Sequence, residues 1–222
     1  MNSKKISKAV IMRLPRYYRY LTELHDKGEE RISSNNLSKI MDITASQVRQ
    51  DLNNFGEFGL QGYGYNVDYL RNEISKVMGI DTLHNMILIG LGNLGTALLK
   101  YNGFSSKGFI IKAIFEQNKK IVGQKVEGID ILPISSLEDY LKNNNIDIVV
   151  LTVPKESALD IINMLPSDKR IGIWNFSNMD IKVGKNIVIE NVHLSESLMR
   201  LSYSLKKDWY DSWHRDRYSW NN

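Results

Sequence analysis

The residues from Asn85 to Leu99, NMILIGLGNLGTALL, constrain this chain more than any other stretch. Four apolar residues, Met86 to Ile89, run into Gly90, Leu91, Gly92, Asn93, Leu94 and Gly95, and an Ala/Leu-rich helical pattern follows. An unbroken apolar run marks a strand buried in a parallel sheet, and the G-x-G-x-x-G spacing behind it predicts strand, sharp turn and helix. Gly90 makes the tight turn, Gly92 lets the backbone approach a pyrophosphate, and Gly95 lets the helix pack on the strand. The N–H groups at the helix N-terminus then face the anion. A second apolar run, Phe109 to Phe115, ends at Glu116, 21 positions after Gly95. That is close to the roughly 20 at which a carboxylate meets a dinucleotide's ribose 2′-OH. Because a carboxylate there repels a 2′-phosphate, the reading is NAD rather than NADP, with Lys119 and Lys120 acting against it.

Around this unit, strands alternate with helices, which predicts an α/β domain with a doubly wound parallel sheet. Ile129 to Pro133 reads as a third strand, followed by a helix from Ser135 or Ser136 to Lys142. The strongest strand signal is Asp147 to Pro154, where the proline puts a loop at the strand's carboxyl end, the edge at which ligands bind in such sheets. Lys155 to Leu165 returns as a helix, and Ile171 to Phe176 and Ile187 to Val192 complete six or seven strands. The tail, 194–222, carries Leu194, Leu198, Leu201, Leu205, Trp209 and Trp213 at helical spacing. Its apolar face exceeds the needs of its own sheet, so burial against a partner chain is expected over docking at home.

The first 80 residues follow a different pattern. Residues 1–19 hold Lys4, Lys5, Lys8, Arg13, Arg16 and Arg19 and no acid, although the net charge of the 222 residues is only +4. Ile6 to Lys27 has helical spacing; either the helix begins near Leu14 with Pro15 in its first turn, or a short helix precedes it. Ser33 or Ser34 caps a second helix to Met41 with Leu37 and Ile40 on one face, and Thr44 caps a third, 45–55, with Val48, Leu52 and Phe55 inward. Ser46, Gln47, Arg49, Gln50 and Asn53 then face out, as a helix entering a major groove requires. Residues 58–66 alternate glycine with larger residues and read as a small wing bearing Gln61, Gly62 and Tyr63, or as a plain surface loop. A fourth helix, Val67 to Met78, carries Leu70, Ile74 and Val77, and the domain boundary falls at 80–84.

With 42% hydrophobic residues the chain can build a sizeable core. The absence of cysteine excludes disulfides and thiolate chemistry, and no apolar run is long enough for a membrane span, so a cytoplasmic protein is expected. His25, His84, His193 and His214 form no metal-spaced cluster, and no metal is expected. His193 is the one candidate acid/base, weighed against a structural or interface histidine. The glycine-rich unit by itself also fits an NAD-dependent oxidoreductase fused to a DNA-binding domain, or a regulator using coenzyme A or an adenine nucleotide.

Over nearly its full length the chain resembles the Rex family of redox-sensing transcriptional repressors. The stretches that carry the likeness are RLPRYYRYL (13–21), TASQVRQDLNNFGEFGLQGYGY (44–65), GLGNLGTAL (90–98), YNGF (101–104), LTVP (151–154), NF (175–176) and VIENVHLSESLMRLSY (188–203). The resemblance implies homodimers with an N-terminal winged helix-turn-helix (1–80), a Rossmann domain for NAD(H) (85–193) and a C-terminal helix (194–222) swapped into the partner. It implies that Gly90, Leu91, Gly92, Asn93, Leu94 and Gly95 cradle the pyrophosphate, and that Glu116 stands where the family has an aspartate. Thr152, Val153, Pro154, Asn175, Phe176 and Tyr101 would line the cofactor groove, with Leu194 of the partner subunit beside the nicotinamide. Arg49 and its helix face would read double-stranded operator DNA, with Thr44 at the helix start and Arg13 and Arg16 beside it. Such proteins bind operators when NAD+ dominates, release them when NADH binds, and catalyse nothing. Arg19 and Tyr101 match two members of a switch triad whose third is usually aspartate; His193 occupies that place, so an Arg–Asp ion pair cannot form. Gln50 and Gln61 replace residues often basic in the family.

Overall fold

The computed structural model describes residues 6–54, 59–60, 64–181 and 184–218, without the side chains of 59–60 and 207–218. The chain divides into two compact units, Met1–Leu83 and His84–Asn222.

The first unit runs α1 (Lys8–Asp26), β1 (Arg31–Ile32), α2 (Ser34–Met41), α3 (Ala45–Leu52), β2 (Gly59–Leu60), β3 (Gly64–Asn66) and α4 (Val67–Met78). Each helix starts on a side-chain cap: Ser7, Ser33, Thr44 and Asn66 accept from Val10, Asn36, Gln47 and Tyr69 N–H groups. Leu14, Tyr17 and Leu21 from α1 meet Leu37 and Met41, Val48 and Leu52, and Leu70 and Ile74 in one core. The three strands form an antiparallel sheet ordered β1-β3-β2.

Three expectations change here. Neither alternative for Pro15 holds, because α1 is one continuous helix through it. The carbonyl that Pro15 leaves without its helical donor belongs to Ile11, an exposed residue that water can reach. Ile40 is exposed while Leu37 and Met41 are buried, since the inward stripe of so short a helix runs through i and i+4. Val77, in the last turn of α4, is likewise exposed. Phe55, Gln61, Gly62 and Tyr63 lie outside the described residues.

The second unit runs β4 (His84–Ile89), α5 (Asn93–Leu99), β5 (Phe109–Glu116), β6 (Lys125–Val126), β7 (Ile129–Pro133), α6 (Leu137–Asn143), β8 (Ile148–Leu151), α7 (Lys155–Asn163), β9 (Ile171–Asn175), β10 (Ile187–Asn191) and α8 (Leu194–Tyr218). The sheet has seven strands in the order β10-β9-β8-β4-β5-β7-β6, parallel except for β6. The first strand of this unit therefore sits at the centre, and the crossovers leave it in opposite directions at β5 and β8. Such a switch point opens a crevice at the strands' carboxyl ends. The edge strand β6 has no sequence pattern of its own; it is a two-residue hairpin arm folded on β7. Alternate residues feed two cores. Ile87, Ile89, Ala113, Phe115, Val149 and Leu151 pack under Leu137, Leu141, Ala158 and Ile161 of α6 and α7. Met86, Leu88, Ile114 and Val150 face Leu98 and Leu99 of α5, with Phe104 and Trp174.

The α5 face covers only part of the sheet. Beyond it lies an apolar cavity of about 440 Å³ lined by Phe104, Phe109, Ile148, Trp174 and Val188. In α8, Leu194, Leu198, Leu201 and Leu205 are all 56–67% exposed, so these leucines have no cover among the described residues.

Candidate functional site

At the carboxyl end of β4 the chain turns at Gly90 with φ 93°, a left-handed value that an L side chain resists. The turn is held from the end of the adjacent strand β8: the Thr152 hydroxyl donates to the Gly90 carbonyl oxygen at 2.7 Å and lies 3.0 Å from that of Ile89. A Cβ at Gly95 would collide with the Gly90 carbonyl oxygen and the Thr152 hydroxyl, which explains the third glycine by packing. A Cβ at Gly92 would meet no atom within 4 Å. Nothing in the fold demands glycine there, so the space above it is available for a ligand. Asn93 begins the helix, and no side chain caps it.

Glu116 ends β5 facing this turn. Its Oε2 accepts the Leu91 N–H at 2.7 Å, and its Oε1 accepts those of Gln117 and Asn118 at 2.7 and 3.0 Å. Burial pushes the carboxyl pKa up, but these three N–H groups outweigh it and hold the group below its ordinary 4.5. Gly90, Gly92, Glu116, Thr152, Val153 and Pro154 line one cavity of about 170 Å³. Gln117, Ile134 and Ser157 join them from the loop after β5, the turn before α6 and the start of α7. Sequence reading missed these three, because only the crossing of chain segments far apart in sequence brings them to the cradle.

Asn175 is 1% exposed, and its amide is fully engaged with the loop after β9 and the end of β10. Nδ2 donates to the Met179 carbonyl and to Asn191 Oδ1, and Oδ1 accepts from the Ser177 N–H and hydroxyl. It shapes the corner after β9. Phe176 stacks edge-on with Trp174 at 4.7 Å, Trp174 with Phe104 at 5.4 Å, and Phe104 with Tyr101 at 4.8 Å. Tyr101 itself is 57% exposed. His193, just before α8, has Nε2 3.1 Å from Asp180 Oδ1 and Nδ1 3.4 Å from Asn178 Oδ1. No hydrogen bond joins it to Tyr101. Arg19, in the first unit, lies over the Tyr20 ring at 4.6 Å.

On α3, Ser46, Arg49, Gln50 and Asn53 are exposed at i, i+3, i+4 and i+7, a single outward stripe. Arg49 reaches Ser34 Oγ at 3.0 Å on α2. Thr44 is the cap of α3. Arg13 is not free: its guanidinium grips the Asp51 carboxylate at 2.6 and 2.7 Å. Arg16 donates to the Met41 carbonyl at the end of α2, 2.7 Å away. Gln47 turns its amide onto Asp51 at 2.7 Å. Asp51 itself was missed, although its place three residues after Val48 puts an acid on the buried stripe. Among the described residues no His, Cys, Asp or Glu cluster could hold a metal, and no helix is long and apolar enough to cross a membrane.

A compact helix-turn-helix with an antiparallel hairpin, joined to a doubly wound sheet with a glycine cradle at its switch point, defines a nucleotide-responsive DNA-binding regulator. Known proteins agree. Residues 5–53 match the model of a "DNA-binding protein N-terminus" and 81–179 that of a "CoA binding domain". The redox-sensing transcriptional repressor Rex of Clostridioides difficile (strain 630) is 51% identical over 207 residues, 93% of this chain and 99% of that protein. Rex of Thermoanaerobacter pseudethanolicus is 48% identical, covering 92% of this chain and 91% of that one. The crystal structure of RSP in complex with beta-NAD+ and operator DNA superposes with a TM-score of 0.87 at 45% identity, over 95% of this chain and 97% of that one. RSP in complex with beta-NADH gives 0.86 at 43% identity, over 94% and 98%. The chain belongs to the Rex family of redox-sensing transcriptional repressors.

Proposed function

We propose that this protein is a cytoplasmic, homodimeric repressor that holds operator DNA while NAD+ prevails, leaves it when NADH binds, and catalyses no reaction. The observation that carries this reading is the glycine cradle closed by Glu116 at the switch point of the sheet, in a chain whose other unit offers the outward stripe of α3. Residues 1–80 read DNA, 85–193 hold the dinucleotide and 194–222 dimerise. Gly90, Leu91, Gly92, Asn93, Leu94 and Gly95 hold the pyrophosphate, and Glu116 holds the adenosine ribose. Val153, Pro154 and Phe176 flank the groove, while Thr152 and Asn175 shape it from behind through the bonds described above. On the DNA side Ser46, Arg49, Gln50 and Asn53 face the major groove.

Glu116 also speaks to ligand class. A carboxylate with both oxygens already ordered by backbone N–H groups suits an unmodified ribose diol. It repels the 2′-phosphate of NADP and the 3′-phosphate of coenzyme A alike. This favours NAD(H) despite the match to a coenzyme A-binding model over residues 81–179. The reduced nicotinamide carries no positive charge and suits an apolar pocket, with Leu194 of the partner subunit beside it. Arg19, Tyr101 and His193 relay the bound state. A hundredfold weakening of DNA binding requires only about 2.7 kcal/mol of difference in NADH affinity between the two states. The test is a mobility shift with a duplex selected from a random-sequence pool, titrated with NADH against a fixed excess of NAD+. NADH releases the duplex and NAD+ alone does not; equal action of the two would refute the reading.

A further inference from the structure

Asp51 is the one fully buried carboxylate of the first unit among the described residues, and four side-chain donor contacts converge on it. Arg13 Nε and Nη2 donate at 2.6 and 2.7 Å, the Tyr17 hydroxyl at 3.0 Å, and Gln47 Nε2 at 2.7 Å. Two of these residues come from α1 and one from the first turn of α3. The arrangement therefore locks the reading helix to the scaffold and, in the same stroke, orients a side chain at its DNA-facing end. We propose that Asp51 is a positioning residue that turns the nitrogen of the Gln47 amide inward, so that Gln47 meets the DNA through its carbonyl oxygen and favours a base with a major-groove amino group. Arg13, on the same reading, positions α3 and does not contact a phosphate. The inference rests on the DNA-binding function proposed above and names one of its specificity elements.

The chemistry permits one orientation only. An ionised carboxylate accepts and never donates, so the nitrogen end of the amide must face it. Burial opposes that ionisation, and the bonds from Arg13, Gln47 and Tyr17 overcome it, keeping the carboxyl below its ordinary 3.8. Among the described residues nothing donates to Gln47 Oε1. Residues in the first turn of such a helix reach base edges. There adenine N6 and cytosine N4 offer donors, whereas guanine presents only the N7 and O6 acceptors. Arg16 reinforces the assembly by bonding the last carbonyl of α2.

The experiment selects a duplex from a random-sequence pool with the wild-type protein. It then measures binding, by fluorescence anisotropy, to a panel in which each base pair of a half-site is replaced in turn. Gln47→Ala loses discrimination at one pair, where the wild type prefers adenine or cytosine. Asp51→Asn, whose amide can donate to Gln47 and let it turn over, loses roughly tenfold discrimination at that same pair and little elsewhere. The double variant is no worse there than either single one. Arg13→Gln leaves the salt dependence unchanged, where loss of a phosphate contact would lower the slope by about one. If Asp51→Asn does not fold, judged by its circular dichroism, Arg13→Lys, which leaves the ionised carboxylate to hold the Gln47 nitrogen, keeps the adenine or cytosine preference at that pair, and a switch there to guanine or thymine overturns the proposal. The proposal falls if Asp51→Asn keeps wild-type preference at the Gln47 position, if that position prefers guanine or thymine, or if Arg13→Gln flattens the salt dependence. A wild type that selects no sequence at all refutes the DNA-binding reading itself.

Discussion

Gly92 and Gly95 sit three residues apart for different physical reasons, and substitution separates them. At Gly95 a methyl group collides with the Gly90 carbonyl oxygen, so Gly95→Ala forces the helix off the strand. Overpacking of that kind costs roughly 1–3 kcal/mol, and thermal denaturation should register it. At Gly92 the added methyl meets no protein atom within 4 Å. Gly92→Ala is expected to melt with the wild type while binding NADH at least tenfold more weakly, a loss of about 1.4 kcal/mol by fluorescence titration. Glu116 is the second discriminating position. Glu116→Gln removes the anion but keeps the size, so NADH weakens and the bias against NADPH narrows, as competition titration will read. Because its carboxyl lies below 4.5 when folded, the bias persists through mild acid and fades only as pH falls through that lowered value. The G-x-G-x-x-G spacing disclosed these glycines in the bare sequence. It did not disclose Thr152 behind Gly90, because that bond joins residues 62 apart.

Among the elements, α8 is the one whose sequence and surroundings disagree. Its leucines at 194, 198, 201 and 205 repeat as a buried helix repeats them, yet each is more than half exposed. An apolar face this continuous needs a cover, and on the reading proposed above the same helix of a second copy supplies a symmetric one. Leu198→Asp is therefore expected to dissociate the dimer in sedimentation velocity. Burying a leucine stabilises by about 1.5–3 kcal/mol, and a two-fold interface loses it twice. The circular dichroism of the remaining fold should stay unchanged. The periodicity of the tail was readable directly; its lack of cover was not, since periodicity reports which face is apolar and never what lies against it. α1 teaches the converse. Pro15 argued for a break, but the packing of Leu14, Tyr17 and Leu21 carries the helix straight through.

For the molecule as a whole, two units and two ligands impose a thermodynamic constraint. If NADH weakens DNA binding by a given factor, DNA must weaken NADH binding by the same factor. Titrating NADH in the presence of saturating selected duplex should reproduce the ratio obtained from DNA titrations with and without NADH. Unequal ratios would mean that the two titrations do not report the same ternary binding equilibrium. Sequence alone determined what depends on neighbours along the chain: caps, the glycine spacing, the alternation of strand and helix, the basic arm and the outward stripe of α3. Tertiary structure decided what depends on residues far apart. It placed Arg13 on Asp51 rather than free, tied Asn175 to Asn191 at the end of β10, and brought Gln117, Ile134 and Ser157 to the cradle. A polar side chain takes its partner from whatever the fold delivers within about 3 Å, and no local pattern encodes that distance.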